Sequence, residues 1–319
     1  MGTLQVIAPG MLTTIQDRGR WGWQSCGVPV AGSMDAVSHR IANALVGNDP
    51  EAALLEITLT GPDMAFNDDR RVAVAGARFE LTLNGQPMPM DAPFMAPAGS
   101  RLRFGRRHRG ARAYLAVSGG IAVPPVFGSR STHVASAMGG VEGRPLRAGD
   151  CLPLGPHRRE PQASAAVSAR VPDLIPAGDR PAAIRVLPGP HDDRFSPGAL
   201  EALESGPYVI SVSSDRMGFR LDGPELSASH AAEMISDALP PGGLQVPPSG
   251  QPILLMADRP TTGGYPCLAT VITADIGMAG QLAPGDSMSF VLTSRGDARA
   301  RLLLQEEALS SLMSGGTVR

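Results

Sequence analysis

The polar chemistry of this 319-residue chain gathers in five short clusters. The richest starts at Gln245, runs through Val246-Pro247-Pro248-Ser249-Gly250-Gln251-Pro252 and a strand to Ala257, and ends in Asp258-Arg259-Pro260-Thr261-Thr262-Gly263-Gly264-Tyr265-Pro266-Cys267. Thr-Thr-Gly-Gly after a strand sets two hydroxyls beside flexible backbone N–H donors, the composition of an anion nest. In Thr13-Thr14-Ile15-Gln16-Asp17-Arg18-Gly19-Arg20-Trp21-Gly22, glycines that let backbone approach a ligand stand beside arginines. A guanidinium offers a planar fork to carboxylate or phosphate. Ser214-Asp215-Arg216-Met217-Gly218-Phe219-Arg220 is of the same type, so the two Asp-Arg pairs are expected in related places. Gly27-Val28-Pro29-Val30-Ala31-Gly32-Ser33-Met34-Asp35 feeds a helix whose free N–H groups suit an anion, or are capped by Ser33. The hydroxyls of Gly128-Ser129-Arg130-Ser131-Thr132 flank an arginine and could hold an oxyanion. Each cluster also has a structural reading, as a turn or an Asp–Arg bridge.

All 28 basic residues are arginine; the chain has no lysine. A Schiff-base lysine and a P-loop lysine are therefore excluded, and every cationic side chain is a guanidinium that makes a poor general base. There is no G-x-S-x-G, G-x-G-x-x-G or H-E-x-x-H. The histidines, His133 and His191 among them, lie singly, and Cys26, Cys151 and Cys267 lack zinc or disulfide spacing, so no metal site is expected. A net charge of −2 gives no basic field for nucleic acid. No apolar run reaches the roughly 18–20 residues that span a bilayer. With no signal-peptide pattern at the N-terminus, a cytoplasmic protein is expected.

The elements that must position these clusters read as mainly β. The 38 glycines and 30 prolines punctuate Val, Ile and Leu in the rhythm of short strands joined by turns. Strands are expected over residues 53–60, 71–75, 80–83, 113–117, 184–187, 208–212, 253–257 and 288–292. Helices are expected over 34–46, 197–204 and 297–313, the first closed by Gly47. Residues 156–182 turn to Pro, Ala, Arg and Ser and read as a linker between a domain at 1–155 and another at 183–296, with a helix and tail at 297–319. The two sides echo each other. Leu4-Gln5-Val6-Ile7-Ala8-Pro9-Gly10 opens one and Ile184-Arg185-Val186-Leu187-Pro188-Gly189-Pro190 the other. Leu146-Arg147-Ala148-Gly149-Asp150-Cys151-Leu152 closes one and Leu282-Ala283-Pro284-Gly285-Asp286-Ser287-Met288 the other. This order implies a diverged tandem duplication, with a site expected where its halves meet.

Six ordered motifs, PGMLTTIQDRGRWG, GVPVAGSMD, LEITLTGP, GSRST, SDRMGFRL and ADRPTTGGYP, spread over most of the chain. In them the sequence resembles the allophanate-hydrolase-subunit-2 family, also called KipA-like or biotin-dependent carboxyltransferase. That family includes the C component of ATP-dependent 5-oxoprolinase and part of the carboxyltransferase region of urea carboxylase. The resemblance implies two tandem cyclophilin-like β-barrel domains with a few helices. It implies a KipI-like partner (the B component) and a LamB/YcsF-like one (the A component), with ATP and Mg consumed by the complex to open 5-oxoproline to glutamate. The alternatives it implies are carboxyl transfer to a urea-like amide from biotin on a separate carrier, and a non-catalytic KipA-type regulator. Asp17, Arg18, Asp215, Arg216, Thr261, Thr262 and Tyr265 are the expected catalytic set. Gln16, Arg130, Gln245, Asp258, Gly263 and Gly264 are expected to bind the substrate. Pro260 and Cys267 stand where many members of the family carry a glutamine and a basic residue.

Overall fold

The structure, a computed structural model, describes residues 2–156, 175–227 and 234–313. It divides into two compact units. Met1–Arg20, Ala31–Ile175 and Gln305–Arg319 make the first; Trp21–Val30 and Pro176–Leu304 make the second. The division is not a single cut in the chain. Most of the expected linker, residues 157–174, lies outside the described residues. The α-helices among the described residues are α1 (Ala36–Val46), α2 (Ala199–Glu204), α3 (Thr273–Gly280) and α4 (Arg295–Met313). None of them is long and apolar enough to cross a membrane.

The strands of the first unit are β1 (Thr3–Ala8), β2 (Leu12–Gln16), β3 (Leu54–Thr58), β4 (Asp63–Phe66), β5 (Arg70–Leu83), β6 (Gln86–Met88), β7 (Phe94–Ala96), β8 (Arg101–Val117) and β9 (Cys151–Pro153). They form one sheet ordered β2-β3-β8-β4-β1-β9, with β5 pairing β6, β7 and β8. Side chains alternate faces along a strand, and Val72-Ala73-Val74-Ala75 uses that alternation. The valines enter the main core with Leu55, Ile57 and Leu115, whereas Ala73 and Ala75 join Ala42, Leu45 and Tyr114 beneath α1. Alanine on the helix side lets α1 lie close to the sheet. The outer part of α4 covers α1 in turn. Leu309 packs on Val37, Leu312 joins the cluster beneath α1, and Arg40 forks onto Glu306 at 2.6 and 2.9 Å.

The strands of the second unit are β10 (Ala182–Pro188), β11 (Tyr208–Ile210), β12 (Gly218–Asp222), β13 (Asp237–Ala238), β14 (Gly243–Gln245), β15 (Ile253–Leu255), β16 (Thr262–Gly263), β17 (Cys267–Val271) and β18 (Ser287–Leu292). Seven close a barrel in the order β10-β17-β14-β15-β12-β11-β18, sealed by the parallel pair β10–β18. Closure removes the open sheet edges that would otherwise invite pairing with other chains. Ile184, Val186, Tyr208, Phe219, Leu221, Leu244, Leu254 and Phe290 are among its buried residues. The remaining two strands, β13 and β16, form a separate ribbon in which Asp237 faces Gly263 and Ala238 faces Thr262.

The mainly β architecture with a few helices agrees with the sequence expectation, but several local features differ. Residues 71–75 and 80–83 are parts of one strand, because Gly76 (φ 92°) opens a bulge rather than a turn. Helix α3 was not expected, since Thr-Ala-Asp-Ile-Gly-Met-Ala-Gly has little periodicity and two glycines. The echoed closing segments do form the same local device. Gly149 N–H donates to Val6 O at 2.8 Å and Val6 N–H to Asp150 O at 2.9 Å. Gly285 and Ile210 exchange the corresponding bonds at 2.8 and 2.9 Å, the second going to Asp286 O. The first turn docks on the opening strand β1, but the second docks on β11 rather than β10. Closing strand β9 is antiparallel to β1, whereas β18 is parallel to β10. The repeat is therefore local rather than a strand-for-strand copy.

The cap of α1 is Asp35, not Ser33. Its carboxylate accepts from Val37 N and Ser38 N, both at 3.0 Å, and from Ser38 Oγ at 2.6 Å, while Ser33 Oγ pairs with His39 Nδ1 at 2.7 Å. Asp35→Ala is expected to lower the unfolding free energy by about 1–3 kcal/mol, because buried donors lose their acceptor. Chemical denaturation measures this, and an unchanged midpoint would contradict the assignment.

Candidate functional site

In the first unit the signature residues hold one another. Asp17 lies at the end of β2, buried, and its carboxylate takes four donors: Gly19 N at 2.9 Å and Ser129 Oγ, Ser131 Oγ and Arg130 N at 2.6 Å each. The oxyanion expected at Ser129-Arg130-Ser131 is thus the protein's own carboxylate. Burial pushes the Asp17 pKa up, but the hydroxyl and backbone donors outweigh it and hold the carboxyl below the usual range. Gln16 donates to Thr14 Oγ1 and the Thr132 carbonyl at 3.0 and 3.1 Å, and Arg130 Nε to the Val123 carbonyl at 2.7 Å. Arg18 points outward to Glu51 at 3.0 Å.

A second polar group secures the loop before α1. Glu56 Oε2 accepts from Met34 N at 2.8 Å and from Tyr114 Oη at 2.9 Å, and Tyr114 Oη accepts from Asp35 N at 2.8 Å. Together with the Asp35 cap, these bonds occupy the N–H groups that the sequence offered to an anion. His39, also in α1, is buried between Ser33 Oγ and Asn43 Nδ2, at 2.7 and 3.1 Å. Desolvation lowers its pKa to about 4, against the opposing field of Asp17.

The second unit brings two of the clusters together. Arg216 Nε and Nη2 donate to the two carboxylate oxygens of Asp258 at 3.0 and 3.1 Å, both side chains being buried, and Asp258 N–H donates to the Arg216 carbonyl at 2.8 Å. This fork fixes the start of the Asp258–Tyr265 loop. The loop then forms β16 with β13, so Thr262 and Gly263 sit in a strand ladder and not in an open nest. Gly263 packs closely here, since a Cβ would stand 2.9 Å from Leu239 Cδ1 and that side chain would have to shift. Gln245 Nε2 holds the far side of the loop through the Tyr265 carbonyl at 3.0 Å, leaving the Tyr265 side chain exposed.

Beside this ribbon is a cavity of about 490 Å³, within the size range of small-molecule sites. Val30, Leu239 and the prolines at 190, 240, 241 and 260 form its apolar wall; Trp21, Gln24, Asp237, Arg259 and Thr261 add polar atoms. Arg259 is buried, with Nε on the Leu239 carbonyl at 3.0 Å and Nη1 on the Met256 carbonyl at 3.4 Å. No carboxylate pairs with it among the described residues, and burial pulls its pKa below the ordinary arginine value. The Thr261 hydroxyl likewise has no hydrogen bond among the described residues, whereas its carbonyl accepts from Leu239 N at 3.1 Å.

Of the expected site residues, Thr261 lines this cavity, and Thr262, Gly263, Gly264 and Tyr265 continue its loop. Arg216, Asp258 and Gln245 hold that loop in place. The two Asp-Arg pairs are not equivalent. Asp17 is buried and Arg18 exposed, whereas Asp215 is exposed, accepting from Met217 N and Gly218 N at 2.8 and 3.3 Å, and Arg216 is buried. Arg259 was absent from the expected set. The sequence carried no signal for it, since Asp258-Arg259 reads like Asp215-Arg216 until the Arg216–Asp258 fork is known. Cys267 is buried at the start of β17, its Sγ 3.2 Å from the Ala269 carbonyl, and burial raises its pKa. It is a packed thiol here.

A closed β-barrel with a cavity beside its Thr-Thr-Gly-Gly loop, together with a unit knitted by the signature motifs, defines the class. Residues 26–292 match the family model described as carboxyltransferase domain, subdomain A and B, and the chain belongs to that family. It is 41% identical over 295 residues to the C component of 5-oxoprolinase from Escherichia coli K12, covering 92% of this chain and 93% of that protein. It is 36% identical to the urea amidolyase of Lachancea kluyveri over 98% of this chain but only 18% of the relative. The crystal structure of Kluyveromyces lactis urea amidolyase superposes with a TM-score of 0.88 at 33% identity, over 99% of this chain and 20% of that one.

Two stability outcomes follow from the buried groups. Asp17→Ala strands two hydroxyls and two backbone N–H groups, and should cost about 2–4 kcal/mol in chemical denaturation; a loss within error of zero would contradict its anchoring role. His39 binds its proton less readily folded (about 4) than unfolded (6.5). Its contribution is therefore complete above pH 6.5 and is lost as pH falls toward 4. Unfolding free energy should fall across that window, and His39→Gln should flatten the slope; an unaltered slope would contradict this account.

Proposed function

We propose that this chain is the C component of an ATP-dependent 5-oxoprolinase, which opens the lactam of 5-oxoproline to glutamate. The carrying observation is the nearly end-to-end match to the Escherichia coli C component, over 92% of one chain and 93% of the other. It acts in the cytoplasm with a KipI-like B component and a LamB/YcsF-like A component. Water adds across the lactam C–N bond, coupled to hydrolysis of ATP to ADP and phosphate.

The chain's own share of the work is substrate placement and polarisation. The Thr261 hydroxyl donates toward the lactam carbonyl, where charge develops as the bond opens, and Thr262 and Tyr265 border the approach. Arg216, Asp258 and Gln245 position that loop, while Gln16, Asp17 and Arg130 position its counterpart in the first unit. The chain has no P-loop lysine. Its described residues contain no cluster of three or more His, Cys, Asp and Glu able to hold a metal ion. ATP and Mg are assigned to a surface completed by a partner protein.

Reconstitution with both partners should give glutamate release that depends on ATP and on this chain. Thr261→Ala should cut kcat about 10–100-fold while the complex still assembles. Assembly without ATP-dependent glutamate release would refute the proposal. A second reading, carboxyl transfer to a urea-like amide, is favoured by the likeness to the solved urea amidolyase over 99% of this chain. It requires biotin on a separate carrier, since no lysine here can accept it. Movement of labelled carboxyl from carboxybiotin to urea, without glutamate formation, would establish it instead.

A further inference from the structure

We propose that Arg259 is the carboxylate anchor of the second-unit cavity, and that it selects a carboxylate-bearing cyclic amide over a neutral amide such as urea. The inference rests on the 5-oxoprolinase reading and names the part of the substrate that this site recognises.

Burial of a guanidinium is costly unless an anion compensates it. Arg216 has such an anion in Asp258, which it holds through both oxygens. Arg259 has none among the described residues. It is 7% exposed, lines the cavity, and among the described residues donates to the carbonyls of Leu239 and Met256 through Nε and Nη1. Two carbonyls satisfy hydrogen bonds but do not neutralise the charge. The Nη2 group has no hydrogen bond among the described residues. These two carbonyls also fix the guanidinium plane, so the anchor is oriented before any ligand arrives. Guanidinium stays protonated even when buried, and the missing charge is therefore supplied from the cavity.

The rest of the cavity narrows the anion to a small monocarboxylate. Among the described residues of the lining Arg259 is the one cation, and Asp237 stands in the same lining. That carboxylate disfavours a polyanion such as a triphosphate, which needs several donors. The prolines and Leu239 match the methylenes of a five-membered ring, and the Thr261 hydroxyl is available to its carbonyl. Urea would occupy the polar atoms and leave the buried charge uncompensated.

The test uses pairs of cyclic amides that differ only in the carboxylate: 5-oxoproline against its carboxamide, and dihydroorotate against dihydrouracil. Binding of each, and of Mg·ATP, is measured by calorimetry on the reconstituted complex with the natural chain and with Arg259→Gln. The natural complex should prefer the acid of at least one pair. Arg259→Gln should weaken that acid about 100-fold or more and barely alter its neutral partner. Thermal denaturation establishes that the variant folds; if it does not, Arg259→Lys replaces it, keeping the charge but losing the fork, with a smaller loss expected for the acid alone. Preference for dihydroorotate but not 5-oxoproline would keep the anchor and overturn the substrate reading. Equal loss of acid and neutral ligands, an acid preference that survives Arg259→Gln, no acid preference in either pair, or selective loss of Mg·ATP would each overturn the anchor.

Discussion

A guanidinium withdrawn from water demands an anion, and in a chain without lysine arginine carries that demand. The second unit meets it in two ways, on either side of the Asp258–Arg259 peptide bond. Arg216 is neutralised internally by Asp258, and that fork fixes the loop carrying Thr261, Thr262 and Tyr265. Arg259, the next residue after Asp258, is oriented by carbonyls and faces the cavity. The first arrangement makes the loop a rigid support. The second leaves on that support a charge whose counterion comes from outside. Structure and recognition thus arise from the same residue type, separated by which arginine received the one aspartate.

The first unit applies the complementary rule to a carboxylate. Asp17 is stabilised as an anion because hydroxyl and backbone donors surround it, against burial, which alone would raise its pKa. Through those donors β2 is tied to residues 129–131, while Glu56, Tyr114 and Asp35 tie the loop before α1 to the sheet. The motifs that mark the family in this unit are therefore largely a scaffold. Their polarity largely reflects satisfied burial, whereas the loop after Asp258 carries the Thr261 hydroxyl and Arg259 into the cavity.

Much of this was legible in the residues, and the failures have physical causes. The short-strand rhythm and the family motifs gave the mainly β architecture, and residues 71–75 read as strand before the structure placed them in β5. Composition cannot say whether a polar group is already spent. Ser129 and Ser131 looked like an anion site and are one, but for Asp17. Asp17-Arg18 and Asp215-Arg216 look alike in sequence, yet backbone direction buries the acid of one and the base of the other. Arg259 was missed because the value of an unpaired charge appears only once its neighbour's partner is known. Helix α3 was missed because packing, rather than propensity, makes its glycine-containing turns helical.

What completes Arg259 decides the function of the second-unit cavity, and a crystal structure of the reconstituted complex with 5-oxoproline measures it most directly. The predicted result places the ligand carboxylate in the second-unit cavity at about 2.8 Å from the Arg259 guanidinium, a charge-assisted distance, with the lactam carbonyl toward Thr261. A ligand bound elsewhere, or one in this cavity whose carboxylate points away from Arg259, would contradict it.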